Sequence, residues 1–251
     1  MSGLEHFTPG NFSYIPAVFQ YSGGAVAQSG FAIERASFRD RPSLAEGFRR
    51  IEAHMAAIGR PLSAFCACEL RSPAQFSEAG FIAFNQHYCE TLARWGHYDV
   101  SSKRNSVARS NVCPLIGGPP EPCFHAFSYT VPSRSTAPAF VVSGSGEAPE
   151  GKGAYGNFIV RRGETSPDAM AEKARSVLGE MERRMALLGY RWADTTATQV
   201  YTIHEIHTFF GDEIVRRGAA RNGVTWHLAR PPVIDLEYEM DCRSVPVERV
   251  L

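Results

Sequence analysis

Four carboxylates alternate with apolar residues near the end of the chain, in the sequence IDLEYEMD that begins at Ile234. This alternation predicts a half-buried strand whose polar face carries only acids. Two arginines, Arg221 and Arg230, precede it. A guanidinium holds a carboxylate through two parallel hydrogen bonds, and a carboxylate orients or deprotonates water. The arrangement indicates either a site that hydrolyses an acidic substrate or a structural Arg–Glu pair, and spacing leaves both open.

The arginine and the acid have counterparts earlier in the chain, because the sequence repeats itself. IEAHMAAIGRPLSAFCACEL, from residue 51, aligns with MERRMALLGYRWADTTATQV, from residue 181, at an offset of 130 (181 − 51). Farther on, ARSNV and ARNGV align at an offset of 112 (221 − 109), which matches Arg109 to Arg221 and His125 to Glu237. We infer an internal duplication in which the first copy carries about 18 extra residues (130 − 112).

The repeat also organises the predicted elements. Each copy reads as strands, a long helix, a strand, a second helix and closing strands. The long helix of the second copy is predicted to start at Pro167, with Ser166 as its N-cap. The linker-like sequence VPSRSTAPA places a boundary near residue 135. We therefore predict two α+β domains, residues 1–135 and 136–251.

The composition excludes several classes of protein. Lys plus Arg and Asp plus Glu number 26 each, which argues against a nucleic-acid partner bound by bulk charge and leaves only a local patch open. The sequence contains no apolar run of the roughly 20 residues that span a bilayer. The first residues, MSGLEHFTPG, do not resemble a signal peptide, and the six cysteines form no Cys-x-x-Cys pair. We predict a cytoplasmic protein with reduced thiols and neither a membrane nor a nucleic acid as partner.

Two short motifs resemble known ligand-binding sites but lack residues that those sites require. GEAPEGKG, from Gly146, nearly spells a phosphate-binding loop, but Gly153 replaces the hydroxyl residue and Glu147 and Glu150 repel phosphate. We predict a flexible glycine-rich loop, followed by a strand in AYGNFIV. HEIH, from His204, places two histidines three residues apart without the further ligands that zinc needs. No metal site is predicted.

The motifs together resemble those of the RidA (YjgF/YER057c/UK114) family of imine and enamine deaminases. QYSGGAVAQSGFA is similar to the family's Tyr-Ser-x-Ala-Val opening and its Ser-Gly turn, and FNQHYCETL to its second helix. ARSNV and ARNGV resemble the Ala-Arg signature, and IDLEYEMD resembles the closing strand. The resemblance implies two tandem RidA-like (chorismate-mutase-like) domains. Each is expected to be a mixed β-sheet with two helices packed on one face.

The resemblance also implies roles for individual residues. Arg109 and Arg221 match the carboxylate-binding arginine, and Glu237 matches the water-activating glutamate. His125 stands where the first copy should have that glutamate, so this copy either uses imidazole as the base or has lost the step. The second copy lacks the asparagine motif and a clear tyrosine, which implies that the two halves contribute parts of one site. The remaining substrate-binding positions are Tyr21, Asn85, Ser29 and Gly30.

Among tandem members, the chain is most similar to deaminases of the 2-aminomuconate type, including those for chlorinated muconates, from aminoaromatic degradation. The implied reaction is hydrolysis of an enamine or imine dicarboxylate to a 2-oxo acid and ammonia, without cofactor. A homo-oligomer, with a trimer favoured, is implied by the single-domain relatives. Two alternatives stay open: a hydrolase like those of the chorismate-hydrolysing branch, and a non-catalytic metabolite-binding protein.

Overall fold

Strands outnumber helices in the computed structural model, which describes residues 3–251. The α-helices of this part of the chain are α1 (Leu44–Ala57), α2 (Glu78–Arg94), α3 (Pro167–Leu188) and α4 (His207–Phe209), the last continuing as a π-helical turn, Phe210–Val215. The strands are β1 (Glu5–Phe7), β2 (Phe12–Tyr14), β3 (Gly24–Ala27), β4 (Phe31–Ser37), β5 (Phe65–Arg71), β6 (Tyr98–Asp99), β7 (Arg104–Asn105), β8 (Ala108–Pro114), β9 (Cys123–Pro132), β10 (Phe140–Gly146), β11 (Ala197–Tyr201), β12 (Thr225–His227), β13 (Ala229–Arg230), β14 (Glu239–Ser244) and β15 (Val247–Val250).

The first sheet has the order β13-β8-β5-β9-β4-β15 and mixes parallel and antiparallel pairs. Helices α1 and α2 cover one of its faces. Ile51 and Met55 of α1 and Tyr88 of α2 are buried there with Phe65 and Phe124 of the sheet. Apolar residues recur at helical spacing along α1, and Phe48, Ile51 and Met55 of this stripe pack it on the sheet.

The second sheet has the order β1-β2-β3-β10-β14-β11-β12. Its core consists of residues from α3, α4 and one face of the sheet, including Val177, Met181, Val200 and Met240. Helix α3 begins as predicted: the Ser166 hydroxyl accepts the Ala169 N–H at 3.3 Å. These features confirm the predicted mixed α+β architecture.

The two halves of the chain exchange strands. Strands β1 to β3, within residues 5–27, belong to the second sheet, where β3 pairs with β10. Strands β13 and β15, from the end of the chain, extend the first sheet at its two edges. Each sheet therefore depends on both halves, and the division into domains 1–135 and 136–251 stays a prediction.

The faces that the helices leave uncovered meet through polar side chains. Asp241 of β14 accepts hydrogen bonds from Ser110 of β8 at 2.5 Å and from Gln199 and Tyr201 of β11, both at 2.9 Å. Nearby, Arg35 binds Glu69 through two hydrogen bonds, at 2.6 and 3.0 Å. Burial opposes ionisation of Glu69, but the Arg35 charge outweighs it and holds the pKa of this carboxyl well below its ordinary value.

Two local predictions were wrong. The closing strand starts at Glu239 rather than Ile234, because Asp235 adopts a left-handed conformation with φ 74° and interrupts any earlier strand. AYGNFIV forms a 3-10 turn over residues 155–157, not a strand. The GEAPEGKG segment is anchored by its glutamates, as described below. Among the helices of residues 3–251, none is long and apolar enough to cross a membrane.

Candidate active site

A small cavity of about 30 Å³ lies where the two halves meet. A buried water needs at least about 10 to 15 Å³ of such space, so the cavity has room for about two. Both halves line it. The lining residues are Tyr21, Phe81, Arg109 and Asn111 from the first half, and Gly144, Gly146, Ala148, Glu150, Tyr155, Pro232, Val233, Leu236 and Glu239 from the second.

Arg109 provides the cavity with an unsatisfied positive charge. It lies on β8 and only 3% of its surface is exposed. Its Nη1 and Nη2 atoms are buried and have no hydrogen-bond partner among the residues that the structure describes. Arginine stays charged at any physiological pH, and an unpaired buried charge is costly. This position is therefore built to receive an anion.

Aromatic rings hold the guanidinium in place. Its central carbon lies 4.8 Å from the ring centre of Tyr88, 5.2 Å from that of Tyr21, and 5.8 Å from those of Phe81 and Phe84. The Tyr88 hydroxyl is in turn 3.2 Å from the Cys68 sulfur, which fixes that ring. Cation–π contacts stabilise a cation without neutralising it, so Arg109 keeps its capacity to bind an anion.

Two asparagines extend this polar surface. Asn111 lies two residues after Arg109 on β8. Its Nδ2 is buried and has no hydrogen-bond partner within residues 3–251, and its Oδ1 accepts a hydrogen bond from the Ser72 hydroxyl at 3.0 Å. Asn85 is fully buried on α2, one helical turn after Phe81, to whose carbonyl its Nδ2 donates at 2.6 Å. Asn111 thus adds a second N–H donor to the wall that Arg109 forms.

Glu239, the first residue of β14, brings a carboxyl group to the same cavity and is 4% exposed. Burial, together with the negative charges of Asp241 and Glu150, raises the pKa of Glu239 well above its ordinary value, and the Arg109 charge opposes this only in part. The carboxyl is therefore protonated over a wider range of pH than an exposed glutamate. A buried carboxylic acid beside a cation is a candidate proton donor.

The glycine at position 144 makes room for this carboxyl. A β-carbon at Gly144 would collide with Glu239 Oε1 and would also meet the Ser110 backbone. Strand β10 therefore needs glycine here if Glu239 is to reach the cavity.

A hydrogen-bonded chain builds the next part of the wall. The Tyr21 hydroxyl donates to Glu150 Oε1 at 2.8 Å, and Arg184 Nη2 lies 2.8 Å from Glu150 Oε2. Arg184 is fully buried on α3 and also donates to the Ser143 carbonyl at 3.1 Å. Burial, and then the Glu150 charge, raise the pKa of Tyr21 well above its ordinary value, so its phenol stays protonated.

Residues 147–163 form a loop, as predicted, and this loop covers the cavity. Glu147 is completely buried, accepts the backbone N–H groups of Glu237 and Tyr238 at 2.7 and 3.1 Å, and pairs with Lys173 at 3.1 Å. Tyr155 lies in the same segment, and burial raises its pKa to about 12. The two glutamates that repel phosphate thus anchor the segment.

A larger groove of about 580 Å³ lies next to this cover. Gly146, Ala148 and Glu150 line both the groove and the cavity, so these residues separate the two spaces. Lys152 and Arg183 bring positive charge to the groove, and Glu180, which also lines it, accepts two hydrogen bonds from Arg183, both at 2.7 Å.

The predicted site residues fall into two groups. Arg109 and Tyr21 line the cavity, whereas Asn85 is fully buried on α2 and does not line it. Arg221 does not line the cavity. It is exposed in a turn, and its Nη1 donates to the Ala193 carbonyl at 3.1 Å. Ser29 and Gly30 form the exposed turn between β3 and β4, away from the cavity.

Glu237 and His125 also lie outside the cavity lining. Glu237 forms a salt bridge with Arg230, and its Oε2 lies 2.9 Å from His204 Nε2, so it belongs to an ion-pair cluster. His125 lies at a β-bulge of β9, 3.9 Å from Glu69 Oε2. Burial, followed by the Arg71 charge, lowers the pKa of His125 to about 3, so its imidazole is neutral at pH 7.

Strand pairing explains why Arg221 was matched to Arg109. Arg71 pairs with Val112 in the first half and Tyr201 with His227 in the second. Because Arg71 and Tyr201 match at the offset of 130 (201 − 71), Val112 corresponds to His227. Arg109, three residues earlier, then corresponds to Val224 rather than Arg221. The shared ARxxV pattern aligned the tails three residues out of register.

Sequence reasoning missed Glu239, Asn111, Glu150 and Tyr155. Glu239 was one of the four alternating carboxylates but was taken for part of a solvated row. A signal was available for Glu150, because two glutamates in a glycine-rich segment have no evident role on a surface.

Comparison with known proteins places the chain among relatives. A family model described as "2-aminomuconate deaminase CnbZ" matches residues 4–249. The chain belongs to the CnbZ family of 2-aminomuconate deaminases. It is 49% identical over 247 residues to a 2-amino-5-chloromuconate deaminase of Comamonas testosteroni, covering 98% of each chain. Membership of the CnbZ family confirms the resemblance to deaminases of this type.

Solved structures with a similar fold are more distant. A chorismatase crystal structure aligns with 89% of this chain and 77% of its own, with a TM-score of 0.52 and 13% identity, which shows a common fold. The YjgF gene product from E. coli aligns with 43% of this chain and 80% of its own at 17% identity, and its TM-score of 0.31 carries no weight. Within residues 3–251 of this CnbZ-family chain, no cluster of three or more His, Cys, Asp or Glu side chains is arranged to hold a metal.

Proposed function

We propose that the chain is a hydrolytic deaminase that converts an enamine dicarboxylate of the 2-aminomuconate type, with or without chlorine, to a 2-oxo acid and ammonia. One observation carries the proposal: the unpartnered guanidinium of Arg109 and the buried acid Glu239 line the same cavity. An anion site beside a proton donor suits an acidic substrate that must be protonated. The 49% identity to a 2-amino-5-chloromuconate deaminase supports the substrate class.

In this proposal, Arg109 and Asn111 bind the carboxylate next to the amino-bearing carbon. Two guanidinium N–H groups and one amide N–H are free to donate to its oxygens. Binding also removes the cost of the unpaired charge. The negative charge that the substrate brings raises the affinity of Glu239 for its proton further, since like charges disfavour a second carboxylate.

Glu239 then transfers protons. It gives its proton to a carbon of the enamine and becomes a carboxylate, and the enamine becomes an iminium. Water adds to the iminium carbon and gives one proton to Glu239, which leaves a neutral carbinolamine. Glu239 protonates the nitrogen, the C–N bond breaks, and the hydroxyl proton returns to Glu239. One substrate and one water yield one 2-oxo acid and one ammonia, with Glu239 restored.

The remainder of the substrate requires more room than the cavity provides. We place it in the neighbouring groove, towards Lys152 and Arg183, which replaces the role that the sequence suggested for Arg221. Ala148 and Glu150 separate the two spaces, so this segment must shift when substrate enters.

Further parts of the proposal rest on the RidA resemblance and on chemistry. We propose a reaction without metal or organic cofactor, because an iminium carbon is already electrophilic. Two RidA-like domains in tandem, a trimeric homo-oligomer and a cytoplasmic location stay predictions. The exchange of β1 to β3 with β15 between the sheets is compatible with two domains that fold together.

The test is turnover by the purified full chain. Freshly generated 2-aminomuconate and its 5-chloro form should each release one ammonia per molecule consumed, with a 2-oxo acid as product. Chorismate is the control substrate, because a chorismatase shares the fold. Pyruvate release from chorismate, without ammonia release from either muconate, would overturn the proposal. Binding of muconates without turnover would overturn it in favour of a metabolite-binding protein.

A further inference from the structure

Tyr21 and Glu150 present hydrogen-bond acceptors to the cavity. The phenol has one proton and donates it to Glu150 Oε1 at 2.8 Å. The other carboxylate oxygen is bound by Arg184 Nη2 at 2.8 Å. What remains free on both groups is lone pairs.

Arg109 and Asn111 present the opposite chemistry. Their buried N–H groups have no acceptor within residues 3–251. One cavity of about 30 Å³ therefore combines free donors and free acceptors. A ligand that satisfies both must carry an anionic group and an N–H group very close together.

We propose that Glu150 and Tyr21 recognise the amino nitrogen of the substrate, and so select a 2-amino-2-enoate head group over other dicarboxylates. This inference rests on the proposed function. Such a head group has its carboxylate and its NH₂ on adjacent carbons. The carboxylate meets Arg109, and the two N–H bonds are directed at Glu150 and Tyr21. The charge of Glu150 repels carboxylates, so a dicarboxylate without the amine gains nothing from this residue.

The same pair favours release of the product. Once water has replaced the amine, the carbon carries an oxo oxygen, which has lone pairs and no proton. That oxygen faces acceptors, so the product loses two hydrogen bonds that the substrate made. The site therefore binds the enamine more tightly than the 2-oxo acid.

Arg184 is a positioning residue in this arrangement. It is completely buried, does not line the inner cavity, and contacts Glu150, Glu180 and the Ser143 carbonyl. It fixes the Glu150 carboxylate from α3, a helix that belongs to the core of the second sheet. Arg184 also lines the groove, but its effect on the amino group of the substrate passes through Glu150.

The experiment compares Glu150→Gln with the wild-type chain, with Glu172→Gln as the matched control. Glu172 is an exposed carboxylate on α3 that pairs with Arg161 at 3.2 Å. Two quantities are measured: kcat/KM for 2-aminomuconate, and Kd for cis,cis-muconate, which has both carboxylates and no amine. The thermal unfolding midpoint of each variant is recorded.

We expect Glu150→Gln to lower kcat/KM for 2-aminomuconate by about 10- to 100-fold, the size of a lost hydrogen bond to a charged group. We expect the Kd for cis,cis-muconate to stay constant or fall, because the repulsive charge is gone. Tyr21→Phe keeps the ring beside Arg109 and should lower kcat/KM less. Glu172→Gln should change neither quantity.

Two outcomes would overturn the inference. In one, Glu150→Gln turns over 2-aminomuconate as the wild type does. In the other, both ligands weaken in parallel, which a structural role of Glu150 would cause. Neither outcome affects the proposed function, which fails separately if the wild-type chain releases no ammonia.

Discussion

The two halves of the chain supply different chemical groups to the cavity, a cation from the first and a buried carboxylic acid from the second. The first half contributes Arg109, and strand pairing makes Val224 its counterpart in the second. The second half contributes Glu239. Arg71 pairs with Cys123 where Tyr201 pairs with Glu239, so the counterpart of Glu239 is a buried thiol. Each half has what the other lacks, and the two halves together line one cavity.

The segment after the first sheet strand of each half differs as well. In the first half, β3 turns at Ser29–Gly30 into β4 and the turn is exposed. In the second half, β10 leads into residues 147–163, which cover the cavity and are anchored by Glu147 and Lys173. A short turn between the two sheets in one half thus takes the place of the cavity wall in the other.

Substitution of Glu239, the carboxylic acid that the second half contributes, should lower catalytic activity strongly. Glu239→Gln should lower kcat on 2-aminomuconate by roughly 100- to 10,000-fold, the range for loss of a general acid–base group. Glu237→Gln is the matched control two residues away, where the carboxylate binds Arg230 and His204 outside the cavity. It should retain kcat within about threefold. Equal losses in both variants would contradict the assignment.

The same residue sets the pH dependence. Burial and the neighbouring acids raise the pKa of Glu239 well above its ordinary value. An acid donates while it is protonated, so activity is present below the raised pKa and falls as the pH rises through it. We expect an alkaline limb in the pH profile of kcat, and its loss from the residual activity of Glu239→Gln. The same limb in that variant would assign it to another group.

The cover of the second half is tested by its buried ion pair. Lys173→Met leaves the Glu147 carboxylate buried without its cation and should lower the free energy of unfolding by about 3 to 5 kcal/mol. Chemical denaturation measures this. Adding Glu147→Gln removes the stranded charge and should recover part of the loss. A double variant less stable than Lys173→Met alone would show that the pair does not couple.

Gly144 of the second half leaves space for the Glu239 side chain, and a substitution there tests whether this space is needed. Gly144→Ala places a β-carbon against the Glu239 carboxyl and should lower kcat by about tenfold or more, with a modest loss of stability. Gly179→Ala on α3 meets nothing within 4 Å and should stabilise that helix by up to about 1 kcal/mol. Unchanged kcat in Gly144→Ala would mean that Glu239 need not occupy its observed position.

The smallest effect is expected at His125. Burial and the Arg71 charge lower its pKa to about 3, and it does not line the cavity. His125→Gln should therefore change kcat/KM by less than about threefold, as is usual away from a site. A loss comparable to that of Glu239→Gln would restore the imidazole-base hypothesis.

The sequence predicted local features more successfully than the site. Helix α3 was predicted from Ser166 and Pro167 because capping depends on neighbouring residues, and Gly189 ends it with φ 87°. Glu239 was not singled out, because its role depends on a cavity formed with β8, more than a hundred residues away. The strand was also predicted to start too early, since the left-handed Asp235 has no clear sequence signal.

The alignment of the two halves from sequence was also correct only in part. At the offset of 130, the helix–turn–strand match placed Arg71 beside Tyr201 in the alignment, and the sheets pair accordingly. The second match rested on the short pattern ARxxV and selected Arg221, which lies in a turn. Strand register fixes which residue faces the other sheet, and a short motif cannot determine register.

We expect one arginine, Arg109, to bind the substrate carboxylate. The most direct test measures kcat/KM for 2-aminomuconate in Arg109→Gln and Arg221→Gln, with thermal unfolding as the check on folding. We predict a loss of roughly 1,000-fold or more for Arg109→Gln, because a buried charge-assisted bidentate contact is removed, and a change below about twofold for Arg221→Gln. A large loss in Arg221→Gln, with Arg109→Gln folded and active, would contradict the account.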